Sequence, residues 1–204
     1  MLNNSFASAE ISADDIGYNF GTIGGRMAAG DLEKLIDRIE KESAPPDANS
    51  LMEVIRHVAK LFGVKEDEVA IMELVSAGRT LRFVIPEKLR PVGSIPVSSN
   101  TALAARTVRD RRPDIVNNFP VARHATVFEG VPVGQRSGES IQKILSAPIL
   151  RGKNVVGVAQ ICRKGASLTD AGPDFTQRDL SELQSLNQSL ERLLTLCQTA
   201  DKSA

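Results

Sequence analysis

Two cysteines, two histidines and one loop rich in polar groups hold most of the side chains in this sequence that could do chemistry. Redox or nucleophilic thiol work needs a low-pKa thiolate and, for turnover, a resolving partner. Cys162 falls in an apolar, strand-like run and Cys197 near the end of a helical pattern, so the two are not expected to meet. Both read as small buried hydrophobes. His57 and His124 lack companion ligands at a metal-binding spacing. His57 lies on the flank of a core-facing helix, but His124 keeps richer company. Asn117, Asn118, Arg123 and His124 cluster beside Phe119 and Phe128. Amides, a guanidinium and an imidazole between two aromatic faces suit a polar or anionic small molecule. The competing reading is a solvated loop with both phenylalanines tucked onto a sheet.

Charge narrows the range of partners. Lys+Arg and Asp+Glu each number 25 in 204 residues, so the formal net charge is zero. Nucleic-acid binding needs a concentrated positive field, and only Arg106, Arg109, Arg111 and Arg112 gather at one place. They stand at a helix C-terminus, where they complement the negative end of the dipole. Aromatic residues make up 4% of the chain and tryptophan is absent, which leaves few platforms for stacking bases. No nucleic-acid partner is expected. No apolar run approaches the roughly 18 residues of a membrane helix, so no membrane partner is expected either. The first residues lack the basic and apolar regions of a signal peptide. With no disulfide framework, a reducing cytoplasm is the expected location.

The elements that must position these residues follow from periodicity. Gly21, Gly24, Gly25 and Gly30 break any period, so residues 1–30 read as a flexible segment. Residues 31–43 read as an amphipathic helix with Leu32, Leu35, Ile36 and Ile39 on one face, and Pro45-Pro46 stops it. The main domain is expected over residues 48–199. Ser50-Leu51-Met52-Glu53 reads as a capping box for a helix that buries Leu51, Ile55, Val58 and Phe62 and ends at Gly63. Val69–Ser76 and Arg79–Ile85 flank Ala77-Gly78 as a hairpin. Ser99 or Asn100 caps a helix over Thr101–Arg112, and a short strand follows over Asp114–Asn117. Residues 118–140 form the longest irregular connection, and such a loop inside a compact domain usually carries function. Two apolar runs, Ile144–Leu150 and Val155–Ile161, make a tight hairpin through Arg151-Gly152-Lys153-Asn154. A long helical pattern opens at Phe175-Thr176-Gln177-Arg178-Asp179-Leu180.

In this order, Thr101–Val108, Pro113–Asn118, Ser146-Ala147-Pro148-Ile149 and Val156-Gly157-Val158-Ala159-Gln160 resemble the middle and last hairpin of a GAF domain. The resemblance covers about residues 50–196. It implies an α+β fold, a central antiparallel sheet of five or six strands sandwiched by helices, with an extra N-terminal helix. It also implies a small-molecule sensing and dimerisation module whose ligand lies under the 118–140 segment; no particular cofactor follows. Lys164, Phe175 and Asp179 match a signature that some members use for cyclic nucleotides, whereas Arg163 and Leu180 depart from it. Lys164 and Asp179 are thus candidates for an ion pair, set against a plain Thr176–Asp179 helix cap. Members that reduce free methionine sulfoxide cluster several cysteines around the pocket. That pattern is missing here, and no cysteine in 118–140 offers a covalent tetrapyrrole anchor. An enzyme is not expected.

Two functions stay open at this point: a sensor that signals through a dimer interface or a separate partner protein, and a dimerisation module whose pocket is filled by its own side chains. Leu183, Leu186, Leu190, Leu193 and Cys197 alternate spacings of three and four, as in a helical seam. With Leu32, Leu35, Ile36 and Ile39 they are expected to join two copies in a homodimer. The alternative is a stripe consumed inside one chain.

Overall fold

The computed structural model describes residues 20–42, 45–91, 93–119 and 139–201. Six strands form one sheet: β1 (Val69–Val75), β2 (Thr80–Ile85), β3 (Ser94–Pro96), β4 (Asp114–Val116), β5 (Ser140–Arg151) and β6 (Asn154–Gly165). Their order is β3-β2-β1-β6-β5-β4, and every neighbouring pair is antiparallel. The expected α+β architecture, a central antiparallel sheet between helices, is the one observed. The β5–β6 hairpin is longer than its apolar runs, because Lys143, Ile141 and Ser140 carry the ladder on opposite Arg163, Lys164 and Gly165, past a bulge at Gln142.

The two faces of the sheet are covered differently. On one face lie α1 (Phe20–Glu42), α2 (Ala48–Phe62), α4 (Gln177–Ser185) and α5 (Asn187–Asp201). They bury Leu32, Ile36, Val54, Val58, Leu190, Leu193 and Leu194 against Ile71, Val84, Leu145 and Ile161. Each such side chain contributes about 1.5–3 kcal/mol by leaving water. Helix α5 sits so close to β6 that a β-carbon on Gly157 would overlap the Met72 carbonyl oxygen and a Leu194 methyl. On the same face the buried Glu73 carboxylate accepts from the half-buried Arg82, Nε at 2.7 Å and its terminal nitrogen at 2.6 Å. The second Glu73 carboxylate oxygen has no partner. The other face of the sheet carries α3 (Leu103–Asp110).

Several boundaries differ from the sequence expectation. Helix α1 begins at Phe20 rather than residue 31; Arg26, Met27, Ala28 and Ala29 are good helix formers and offset the glycines among them. Helix α2 begins at Ala48, because Asp47, not Ser50, is the cap. Its carboxylate accepts the Ser50 amide at 2.8 Å, while Glu53 turns aside to pair with Arg38. Gly63 closes α2 in the left-handed region, φ 59°, as expected. Helix α3 is shorter than Thr101–Arg112, since Arg111 takes φ 53° and ends it. The C-terminal helical pattern is split at Leu186 into α4 and α5.

The terminal leucine stripe is consumed within the single chain. Leu183, Leu186, Leu190, Leu193, Leu32, Ile36 and Ile39 are all buried, and only Leu35 stays half-exposed. Helix α5 packs on the sheet with one side and on α1 with the other, so one chain satisfies both edges of the stripe. Arg192 clamps the pair by donating to Asp37 at 2.7 Å and Glu40 at 2.5 Å. Those two carboxylates hold its guanidinium pKa above the ordinary arginine value.

Candidate ligand site

The face of the sheet under α3 has a mixed chemistry. Met72, Phe83, Leu103, Ala105, Ile144, Val158 and Cys162 supply an apolar bed. Within it lie three polar side chains that are almost wholly inaccessible: Ser146, Gln160 and Thr107. The Thr107 and Ser146 hydroxyl oxygens are 2.7 Å apart. Gln160 Nε2 donates to Ser146 Oγ at 3.1 Å, and Thr107 Oγ1 donates to the Leu103 carbonyl at 3.0 Å. Ser146 and Gln160 are cross-strand partners on β5 and β6. Thr107 comes down on them from α3, one turn after Leu103.

Helix α3 is held over this cluster by polar ties at both ends. Ser99 Oγ accepts the Ala102 amide at 3.2 Å, and the Arg109 guanidinium donates to the Val97 and Ser99 carbonyls at 2.5 and 2.7 Å. Arg106 pairs with Asp114 on β4. So two of the four arginines at this helix end serve the fold locally. Outside Thr107 a cleft of about 310 Å³ opens between Arg106, Asp110, Arg112 and Asp114.

The residues singled out from the sequence fall in different places. Asn117 spends its whole amide on one residue: Nδ2 donates to the Phe175 carbonyl and Oδ1 accepts the Phe175 amide, both at 2.9 Å. Asn118 is exposed. Phe119 is buried at 1% exposure in the core beneath α3, with its amide donating to the Gln142 carbonyl at 2.8 Å. Arg123, His124 and Phe128 lie outside the described residues.

The Lys164–Asp179 ion pair does not form. Lys164 Nζ donates to the Asp67 carbonyl at 2.7 Å and pairs with its carboxylate at 3.2 Å. Asp179 completes a capping box with Thr176 at the start of α4. Arg163, where the signature has asparagine, caps α2 by donating to the Phe62 carbonyl at 3.1 Å, and its guanidinium lies 4.7 Å from the Phe175 ring centroid. Cys162 and Cys197 belong to cores on opposite faces of the sheet. Among the described residues, no cluster of His, Cys, Asp and Glu could hold a metal ion.

The polar trio was hidden in the sequence by its surroundings. Ser146 sits inside the apolar run Ile144–Leu150 and Gln160 inside Val155–Ile161, where a lone polar residue reads as noise. Their shared signal is alternation: Ile144 and Ser146 share one face of β5, and Val158, Gln160 and Cys162 share that face of β6.

This arrangement of sheet, α3 and terminal helices has known counterparts. The family model described as GAF domain matches residues 49–194. The chain belongs to the GAF domain family. Solved GAF structures share the fold at low identity. The GAF domain of an Acinetobacter phosphoenolpyruvate-protein phosphotransferase superposes with a TM-score of 0.58 at 17% identity, covering 87% of this chain and 96% of that one. The A. aeolicus nlh2 GAF domain, in an inactive state, gives 0.56 at 15% identity, covering 86% and 98%. Free methionine-R-sulfoxide reductase from Neisseria meningitidis, in complex with its substrate, gives 0.57 at 13% identity, covering 90% and 95%. No curated protein matches this chain. As a GAF domain the chain carries a small-molecule sensing and regulatory fold, and no described helix is long and apolar enough to cross a membrane.

Proposed function

We propose that this GAF domain is a cytoplasmic regulatory module that binds a small polar or anionic molecule against the α3 face of its sheet. Occupancy is passed through the C-terminal helices to a second copy or to a separate partner protein. The observation that carries this reading is the Thr107–Ser146–Gln160 cluster. Polar groups buried in an apolar bed cost free energy even when satisfied, so a fold that needed only a core would do better with aliphatic residues there. Asn118, Arg123, His124 and Phe128 are assigned to the outer lining, and Asn117 and Phe119 to its support. No catalytic role is assigned, because the two cysteines lie in cores on opposite faces of the sheet.

A symmetric homodimer is the proposed assembly, twofold dimers being the commonest. Leu35 is the one member of the leucine stripe left available to it. A second reading, a scaffold with a side-chain-filled pocket, is favoured by Phe119, which already occupies the space beneath α3. Native mass spectrometry of freshly purified protein separates the two. A co-purifying small molecule, lost or weakened in an Arg123→Ala variant, supports the sensor. Clean, ligand-free protein from several growth conditions overturns it.

A further inference from the structure

We propose that Asn117 is the link that sets the position of the C-terminal helices from the α3 side of the sheet. The path runs around the edge of the sheet. Strand β4 is three residues long and, among the described residues, pairs only with β5, through Asp114–Ser146, Ile115–Leu145 and Val116–Ile144. Val116 packs with the α3-side core and Ile115 with the helix-side core. Asn117 follows on the helix side, and two residues later Phe119 is buried again on the α3 side. A shift of this short edge segment on the α3 face therefore moves Asn117 on the other.

What Asn117 holds is the launch point of α4. Both of its hydrogen bonds go to the backbone of Phe175, the residue before the Thr176 cap. A side-chain amide that pairs with both the N–H and the C=O of one residue reproduces a β-bridge and fixes that residue in two dimensions. The strap leading to it is tied separately by Lys143, which donates to the Gly172 carbonyl at 2.6 Å and pairs with Asp174 at 2.7 Å. Lys143 comes from β5, a strand paired to β6 along its length. Asn117 is the tie that comes from the edge of the sheet. Past Phe175, helix α4 is short, and α5 continues it onto the sheet and α1. As a route for a ligand signal the link rests on the sensing reading above; as a mechanical coupling it stands without a ligand.

The test uses amide hydrogen exchange on the full chain with no ligand added. Asn117→Ala should speed exchange at Phe175 and over the first turn of α4 by about tenfold, through loss of two hydrogen bonds. Exchange in β1, β2 and β6 should stay within twofold. Phe119→Leu, a small perturbation on the α3 side, should also speed exchange over residues 175–180, and it should add nothing there once Asn117 is alanine. Additive effects, or unchanged exchange over 175–180 in Asn117→Ala, would overturn the link. Should Asn117→Ala fail to fold, Asn117→Asp keeps the acceptor for the Phe175 amide and carries the same two readouts. Because no ligand enters, failure here leaves ligand binding standing, and clean apo protein by mass spectrometry leaves the link standing.

Discussion

At the scale of single residues, the chain uses side-chain oxygens and amides where backbone partners run out. Asp47 is the simplest case. It accepts the Ser50 amide at the start of α2, and that bond holds its carboxyl below the usual aspartate range. A depressed folded pKa means the stabilisation is present above the unfolded value, about 3.9, and is lost as pH falls through the folded value. Asp47→Asn keeps an acceptor that cannot titrate. Thermal melts of the two proteins should therefore track each other at pH 7 and diverge below about pH 4, the wild type losing more; parallel curves would contradict the capping role. Gly157 is a residue of another kind, needed for what it lacks. Gly157→Ala must push Leu194 or the Met72 strand aside, and urea unfolding should show a loss of about 1–3 kcal/mol.

At the scale of elements, the C-terminal helices are pinned by two asparagines. Asn187 opens α5 and treats Leu150 as Asn117 treats Phe175. Its Oδ1 accepts the Leu150 amide at 2.7 Å and its Nδ2 donates to the Leu150 carbonyl at 3.0 Å. Asn187→Ala leaves both groups to find water and should cost about 1–3 kcal/mol in denaturant unfolding; a cost below about 0.5 kcal/mol, as at an ordinary surface site, would show that water replaces it freely. The order of elements was legible because hairpins, proline stops and helical spacing are local signals. Gly63 and the Thr176–Asp179 box could be read in the same way. The splitting of the last helix at Leu186 was not: the Asn187 side chain just after the break bonds Leu150, 37 residues away. The candidate site was legible only by position. In the sequence Asn117 reads as a polar residue near a loop, but its partner stands 58 residues on, and only the folded sheet edge brings the two together. Ser146 and Gln160 were concealed because a single polar residue does not alter an apolar run.

At the scale of the whole molecule, the helical layer belongs to one chain before it belongs to any assembly. A Leu190→Glu, Leu193→Glu variant puts two charges into a core closed by α1 and the sheet. It should lose its cooperative melt and its near-native circular dichroism, because buried, unpaired carboxylates are costly. Sedimentation equilibrium that instead finds a folded monomer of this variant would restore those leucines as a separable seam. Charge swaps at Asp37 or Glu40 opposite Arg192 should be mild, about 1 kcal/mol or less for pairs this exposed.

The bond between Asn187 and Leu150 also guards against unwanted company. Strand β4 covers β5 only from Ile144 to Ser146, so among the described residues no strand stands beside the outer rim of β5 near Leu150. A bare rim of peptide groups is a template on which other chains can polymerise. Asn187 plugs that rim, and Arg151, gripping Glu191 and Thr195, seals the helix over it. Any state in which α5 lifts from the sheet therefore uncovers an adhesive edge. A shortened protein ending before Asn187 should scatter light at concentrations where the full chain stays clear.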